Sequence, residues 1–198
     1  GLRLEDEAAT AEVHLLARGG TTVVPTGPVS ETAITNLRPL VKIAGRDDWF
    51  AVTTQLEFGV DPKLLDARAD FRLGSHVTAA AGQMVVPFNR SWLTPLPLLA
   101  GLDRPASTSD FAPGRRTGAS LHTKGLGGRF DGWAGAWSAV PPEAVVDRVH
   151  APSLHLRAQF NPTGEAVVSE VLAADQEQVP SAASFGGAIW HEGGMGME

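Results

Sequence analysis

The sequence predicts an all-β, antiparallel protein. Apolar and polar residues alternate with a period of two in several segments, as they do in a strand and not in a helix. The candidate strands follow one another at the short, regular spacing that is typical of a β-sandwich or a β-barrel. The 22 Gly and 14 Pro residues among 198 supply the residue types that many turns between short strands require.

The clearest candidate strand is the segment 64–73, LLDARADFRL. Its ionised residues all fall on one face of an extended chain: Asp66, Arg68, Asp70 and Arg72. Its apolar residues fall on the other face: Leu65, Ala67, Ala69, Phe71 and Leu73. A helix would scatter the two sets around its circumference, whereas a strand separates them.

Eight further segments are predicted to be strands. The stronger alternations lie at 37–44, 49–58 and 153–160, and the weaker ones at 11–18, 76–86, 116–123, 128–137 and 183–190. Pro39 indicates that its segment starts or bulges there, because proline cannot donate to a ladder. Gly74-Ser75 is short enough for a tight hairpin.

The stretch 87–115 is predicted to be a long loop. Its five prolines are too many for a regular strand: Pro87, Pro95, Pro97, Pro105 and Pro113. Because it also carries large apolar residues, we expect it to be folded and packed, as functional long loops often are. The length of the chain predicts a single domain over residues 1–198, with 87–115 as its one long loop.

Composition excludes several classes of function. The net charge of -6 argues against a nucleic-acid partner, and the absence of cysteine excludes disulfides and thiolate chemistry. The sequence contains no run of about 18 apolar residues, so no transmembrane helix is predicted. The six histidines show no paired metal spacing, and the chain has no nucleophile elbow or phosphate loop. We therefore expect no enzyme activity, no catalytic residue, no metal and no cofactor.

Two architectures fit the period of two. In a soluble sandwich or barrel the apolar faces pack inside, whereas in a membrane barrel they meet lipid and the polar faces line the lumen. Many residues of the apolar faces are alanine, which would build a thin soluble core. Four tryptophans lie near strand ends, where an interfacial aromatic girdle would place them: Trp49, Trp133, Trp137 and Trp190. Alternatively, they are ordinary core or loop residues. The pattern alone leaves both architectures open.

Two stretches of the sequence resemble the phosphate-selective porin O/P family. The first, within 64–90, ends in a signature formed by Gly82, Gln83, Pro87, Phe88 and Arg90. The second, 102–122, matches at Arg104, Phe111, Ala112, Pro113, Gly114, Arg115, Gly118 and His122. The resemblance covers about residues 33–160 and keeps the order and approximate spacing of both motifs.

The resemblance implies an antiparallel transmembrane β-barrel in the outer membrane of a Gram-negative bacterium. It further implies a homotrimer surrounded by lipid, with the loop 87–115 folded inward to constrict the pore. Family barrels have about sixteen strands, and their last strand ends in an aromatic residue. This chain has about nine predicted strands and ends in HEGGMGME. We therefore expect either part of a longer barrel or a reduced relative.

The predicted function is passive diffusion of small anions, with phosphate as the solute that the resemblance implies. Arginine can grip phosphate oxygens through two parallel hydrogen bonds, and rings of cations favour anions in pores. The candidate anion contacts are Arg68, Arg72, Arg90, Arg104, Arg115, Arg116 and Arg157. Alternatively, Arg68 and Arg72 pair with Asp66 and Asp70.

Two other functions stay open at this point. One is a structural outer-membrane subunit of a larger envelope complex, with a blocked or shared barrel. The other is a soluble β-sandwich binding module, which would be monomeric in buffer without detergent.

Overall fold

The computed structural model describes residues 1–6, 8–23, 30–45, 47–58, 61–89, 93, 112–142, 151–163 and 184–193, and the side chains of 18–23 and 30–36 are outside the description. Within these residues, ten strands form one antiparallel sheet, whose strand order follows the sequence. They are β1 (Leu2–Glu5), β2 (Ala9–Val23), β3 (Ser30–Gly45), β4 (Phe50–Glu57), β5 (Lys63–Arg72), β6 (Val77–Val85), β7 (Arg115–Gly125), β8 (Phe130–Trp137), β9 (Ser153–Phe160) and β10 (Phe185–His191). The predicted all-β, antiparallel fold class is confirmed.

Each of the nine predicted segments coincides with one strand from β2 to β10. The sequence analysis missed β1, whose four residues are too few to establish a period. Among the described residues the ladders run in order from β1 to β10. The described residues contain no helix that has both the length and the apolar character to span a bilayer.

The chain divides into two compact units, Gly1–Phe71 and Arg72–Glu198. In the first unit, the register of the ladders places like residues opposite each other. Val13 lies opposite Val41, and on the alternate face Glu12 lies opposite Lys42. The apolar residues therefore share one face of this part of the sheet, as the period of two predicts.

A bulge alters the pattern at the start of β5. Gln55 lies opposite Asp66 but Leu56 lies opposite Leu64, so Leu65 is an extra residue in the ladder. Leu65 is buried, whereas Leu64 and Phe71 are exposed. The prediction that Leu65 shares a face with Phe71 is therefore wrong, because an extra residue shifts the alternation by one position.

Pro39 was predicted to mark the start of a strand or a bulge. It lies inside β3, so no strand starts there, and the pairing with β4 keeps one register on both sides of it, so no extra residue lies there. The ladder between β3 and β4 begins at Leu40, and beyond the gap a separate bridge joins Leu37 to Phe58. The two amides of this bridge donate to each other's carbonyl oxygens, at 2.9 and 2.8 Å. Pro39 thus falls at an interruption of the ladder, where its missing N–H costs least.

In the second unit, a small apolar cluster joins the sheet to the chain that follows β6. Met84, Val86 and Trp137 are buried together, with Phe88 and Trp190 packed against them. The amide of Val86 donates to the carbonyl oxygen of Gly114 at 3.0 Å, so the two ends of the predicted loop 87–115 lie side by side. Residues 90–92 and 94–111 lie outside the described residues, and the constriction loop therefore stays a prediction.

Candidate functional site

The burial of β9 is inverted relative to a water-soluble protein. Ser153 is 0% exposed, His155 4% and Arg157 7%. Leu154 and Leu156, which alternate with them, are 51% and 57% exposed. Soluble proteins almost never bury arginine while exposing the leucines beside it, because burial strips the charge of its hydration and exposure of leucine gives up hydrophobic stabilisation.

The same inversion extends to the other strands of both units. Buried polar residues outside β9 are Thr53, Glu57, Arg116, Asp131 and Asn161. Exposed apolar residues include Leu2, Leu15, Ile43, Phe58, Leu121 and Ile189. We call the side of the sheet that carries the first set the polar face, and the side that carries the second set the apolar face.

Two side chains on the polar face of β8 and β9 hold the Arg157 guanidinium in place. Arg157 lies opposite Trp133 in the ladder, with its Cζ atom 4.8 Å from the centre of the indole ring. One Nη2 hydrogen is donated to Gln159 Oε1 at 2.7 Å. A cation above an indole is attracted by the negative face of the ring. The guanidinium therefore has a fixed position on a wall of the polar face.

A second set of contacts extends this arrangement along the polar face. His122 Nε2 lies 3.1 Å from Asp131 Oδ1, and the imidazole stacks on Trp133 with ring centres 4.5 Å apart. Asn161 receives a hydrogen bond from Gln159 Nε2 at 3.0 Å and donates to Asp131 Oδ2 at 3.4 Å. These contacts connect Arg157 to Asp131 through two amide side chains, so the cation and the carboxylate belong to one network.

Trp137 and His155 form a separate buried pair. The indole Nε1 donates to His155 Nδ1 at 2.8 Å. Trp137 rests on two glycines: a Cβ at Gly118 would approach its ring to 2.9 Å, and one at Gly135 would approach its Nε1 to 2.9 Å. Glycine is therefore required at both positions by close packing.

The predicted aromatic girdle is wrong for three of its four tryptophans. Trp133, Trp137 and Trp190 all lie on the polar face, where their ladder partners are Arg157, Ser153 and His155. An interfacial girdle would need them on the apolar face. Trp133 and Trp137 share the parity of Asp131 along β8, so the alternation already contained the signal that places them.

A cavity of about 390 Å³ lies beside Arg157. Its described lining includes Arg157 and Gln159 from β9, Gly186 and Ala188 from β10, and Phe88 and Asn89 from the chain after β6. The floor is almost free of side chains because β10 contributes only Gly and Ala here. The volume falls within the range of small-molecule sites. Sequence reasoning named Arg157 but missed the cavity, because three separate segments form it.

The predicted anion contacts do not form one set. Arg157 and Arg116 lie on the polar face, where Arg116 is 9% exposed and opposes Met84. Arg116 Nε and Nη1 are buried, and no hydrogen-bond partner for them lies among the described residues. Arg115 opposes Val85, on the side of the exposed Leu121, so two adjacent arginines face opposite ways.

The arginines of β5 differ again. Arg68 Nε lies 3.1 Å from Asp70 Oδ2, which is the pairing that the sequence offered as the alternative to an anion contact. Arg72 is the last residue of its strand and is exposed. Arg90 and Arg104 lie outside the described residues.

The described residues of the two sequence motifs lie in β6, in β7 and in the chain segments next to these strands. Gly82 lies opposite Gly118 and has a φ of 126°, a conformation that other residues rarely adopt. Gly114 has a φ of 71° where the chain enters β7. Of the other motif residues, Gln83 opposes Thr117 and Pro87 is buried, whereas Phe88 and Pro113 are half-buried. Phe111 lies outside the described residues.

Charges on the polar face of the first unit are largely paired. Arg38 Nε donates to Glu57 Oε1 at 2.7 Å, and Arg3 lies 3.7 Å from Glu12. In β6–β10, by contrast, the polar face carries three cations and one carboxylate among its described residues: Arg116, Lys124, Arg157 and Asp131. Excess positive charge on the polar face is thus a property of the second unit.

Comparison of the chain with protein-family models, with curated protein sequences and with solved structures found no match. The porin resemblance therefore stays a prediction from the two motifs. Within the described parts of the chain, no three His, Asp or Glu side chains are placed to share a metal ion.

Proposed function

We propose that the chain forms, or contributes strands to, a transmembrane β-barrel that lets small anions diffuse across a bacterial outer membrane. In this arrangement the apolar face meets hydrocarbon and the polar face lines a water-filled lumen. The observation that carries the proposal is the inverted burial of β9, with arginine and histidine covered and the intervening leucines exposed. A bilayer is the solvent in which that distribution is favourable.

The energetic argument rests on the exposed leucines. Fully burying a leucine side chain is worth about 1.5–3 kcal/mol. Leaving Leu154, Leu156, Ile189 and Leu121 more than half exposed to water would forgo much of that stabilisation at each position. In contact with hydrocarbon, the same side chains would gain this stabilisation without any change in the fold. A soluble binding module would instead place these residues in a core.

Anion preference is supported by the cations of the second unit. Arg116, Lys124 and Arg157 outnumber Asp131 on its polar face, and a lumen with excess cations attracts anions. Arg157 is the best placed of them because it lines the cavity and is held by Gln159 and Trp133. Phosphate as the solute and a trimer as the assembly rest on the sequence resemblance.

Ion currents test the proposal. The full chain is purified in detergent, inserted into planar bilayers and exposed to a tenfold KCl gradient. We expect discrete conductance steps, a reversal potential with the sign of anion preference, and a shift towards zero in the double variant Arg116→Gln/Arg157→Gln.

Three other outcomes contradict the proposal in different ways. A reversal potential of the opposite sign overturns the anion preference. Stable insertion without conductance favours the structural subunit. Extraction of a monomer without detergent favours the soluble module.

A further inference from the structure

We propose that the cavity beside Arg157 is a binding site for small organic monocarboxylates that carry an apolar body, of which benzoate is the simplest probe. The inference rests on the proposed function, since it concerns a solute of the same pore, and it departs from the phosphate that the sequence resemblance implies. It concerns a site within the second unit, formed by β9, β10 and the chain after β6.

The positive end of the site is a single guanidinium. Gln159 and Trp133 fix Arg157 before any solute arrives, which lowers the ordering cost of binding. The planar fork of arginine matches the two oxygens of a carboxylate. Asn89, which also lines the cavity, adds an amide.

The charge of the site favours one negative charge over two. Arg157 is the only cation among the described residues that line the cavity. Asp131 is coupled to it through Asn161 and Gln159, so a carboxylate already lies close to the positive end. A second negative charge on the solute would be repelled by Asp131 without gaining another cation.

Beyond the guanidinium the lining is part polar and part apolar, and the cavity is larger than an inorganic anion. Phe88 contributes an aromatic ring, and Gly186, Gly187 and Ala188 leave bare backbone and one methyl group as the floor. The hydroxyl of Ser184 donates to Asn161 Oδ1 at 2.6 Å, so its proton is already used inside the wall. A volume of about 390 Å³ therefore has room for a ring attached to the carboxylate.

Binding is measured by ¹⁹F NMR of 4-fluorobenzoate with the full chain in detergent micelles. We expect saturable binding that benzoate displaces, and at least tenfold weaker displacement by acetate, inorganic phosphate and benzyl alcohol. Acetate lacks the apolar body, phosphate lacks it and carries extra charge, and benzyl alcohol lacks the carboxylate. Equal displacement by phosphate or by benzyl alcohol overturns the assigned solute class.

Two variants locate the site by different means. Arg157→Gln removes the charge, and Ala188→Phe fills the floor while leaving every charge in place; each should weaken binding at least tenfold. Arg129→Gln removes an exposed arginine in the turn before β8 and should leave binding unchanged. Undiminished binding in Ala188→Phe overturns the inference even if Arg157→Gln fails to fold.

Bilayer recordings separate this inference from the function on which it rests. We expect benzoate to reduce the KCl current of the wild-type chain in a saturable way and to have at least tenfold less effect on Arg157→Gln. Anion-selective current that benzoate leaves unchanged, together with no saturable ¹⁹F signal, overturns the carboxylate site and leaves the pore standing. Saturable ¹⁹F binding without any current upholds the site and overturns the pore.

Discussion

Replacing an exposed leucine in the middle of β9 by arginine tests which solvent the apolar face meets. Leu156 is the fourth of the eight residues of β9, and its ladder partners Ala134 and Ile189 are apolar. Neither ladder partner can therefore neutralise an arginine at this position. In water, a substitution at an exposed site changes stability by about 0.5 kcal/mol or less. At the midplane of a bilayer, arginine on the lipid face of a barrel costs about 2–4 kcal/mol.

A second arginine on the same strand supplies the depth control. Phe160 is four residues beyond Leu156 on the same face, which is about 13 Å along the strand and about 10 Å along the membrane normal at the usual tilt. Near the interface the cost of arginine falls to about 0–1 kcal/mol. We therefore expect Leu156→Arg to be destabilising by at least 1 kcal/mol more than Phe160→Arg.

The free energy of unfolding is measured by urea titration of each variant folded into lipid vesicles, with tryptophan fluorescence as the signal. Retarded migration of the unheated, folded protein on a gel gives an independent folded fraction. If the two variants differ by less than 0.5 kcal/mol from wild type and from each other, the apolar face meets water and the membrane assignment of β9 is lost.

Three further substitutions test the packing of the polar face, and the first has a matched control. For each variant, urea titration gives the change in the free energy of unfolding. Gly118→Ala should destabilise by about 1–3 kcal/mol because its methyl group would collide with Trp137, whereas Gly187→Ala, which meets nothing within 4 Å, should change stability by less than 0.5 kcal/mol. Trp137→Phe should cost about 1–3 kcal/mol because it removes the buried donor to His155, and a change below 0.5 kcal/mol would argue that the hydrogen bond does not form. Glu57→Gln should cost about 1–3 kcal/mol because it leaves the cation of its buried ion pair uncompensated, and an unchanged midpoint would contradict the pairing.

The strands and their faces could be predicted from the sequence because alternation is a local property. The segment 153–160 was predicted with the bounds that β9 has, and its polar and apolar residues occupy opposite faces as expected. The alternation also separates Arg115 from Arg116, although both were named as candidate contacts. Period-two reasoning is therefore reliable wherever the ladder is regular.

Irregularities of the ladder could not be predicted in the same way. The bulge at Leu65 depends on how β5 meets β4, and no feature of the segment 64–73 alone marks the extra residue. Pro39 did indicate an irregularity in the strand, but the irregularity is an interruption of pairing with β4 and not the start of a strand. Both outcomes are decided by the neighbouring strand.

The candidate site was only partly visible in the sequence. Arg157 could be predicted as an anion contact because an arginine on the polar side of a strand can bind an anion. Its contacts with Trp133 and Gln159, and the cavity beside it, depend on the register of β8, β9 and β10. Trp133 was assigned to the membrane interface because tryptophan is common there, which gave residue type more weight than parity along the strand.

In the proposed barrel, Arg115 at the start of β7 limits how far the apolar face can extend along this strand. From Arg115 to Thr123 the outward-facing positions span eight residues, which is about 27 Å along the strand and about 20 Å once the strand is tilted. Outward charge at Arg115 suits the headgroup layer, where a long cationic side chain can reach phosphates and water. In the proposed barrel, this guanidinium would mark one edge of the lipid-facing part of β7.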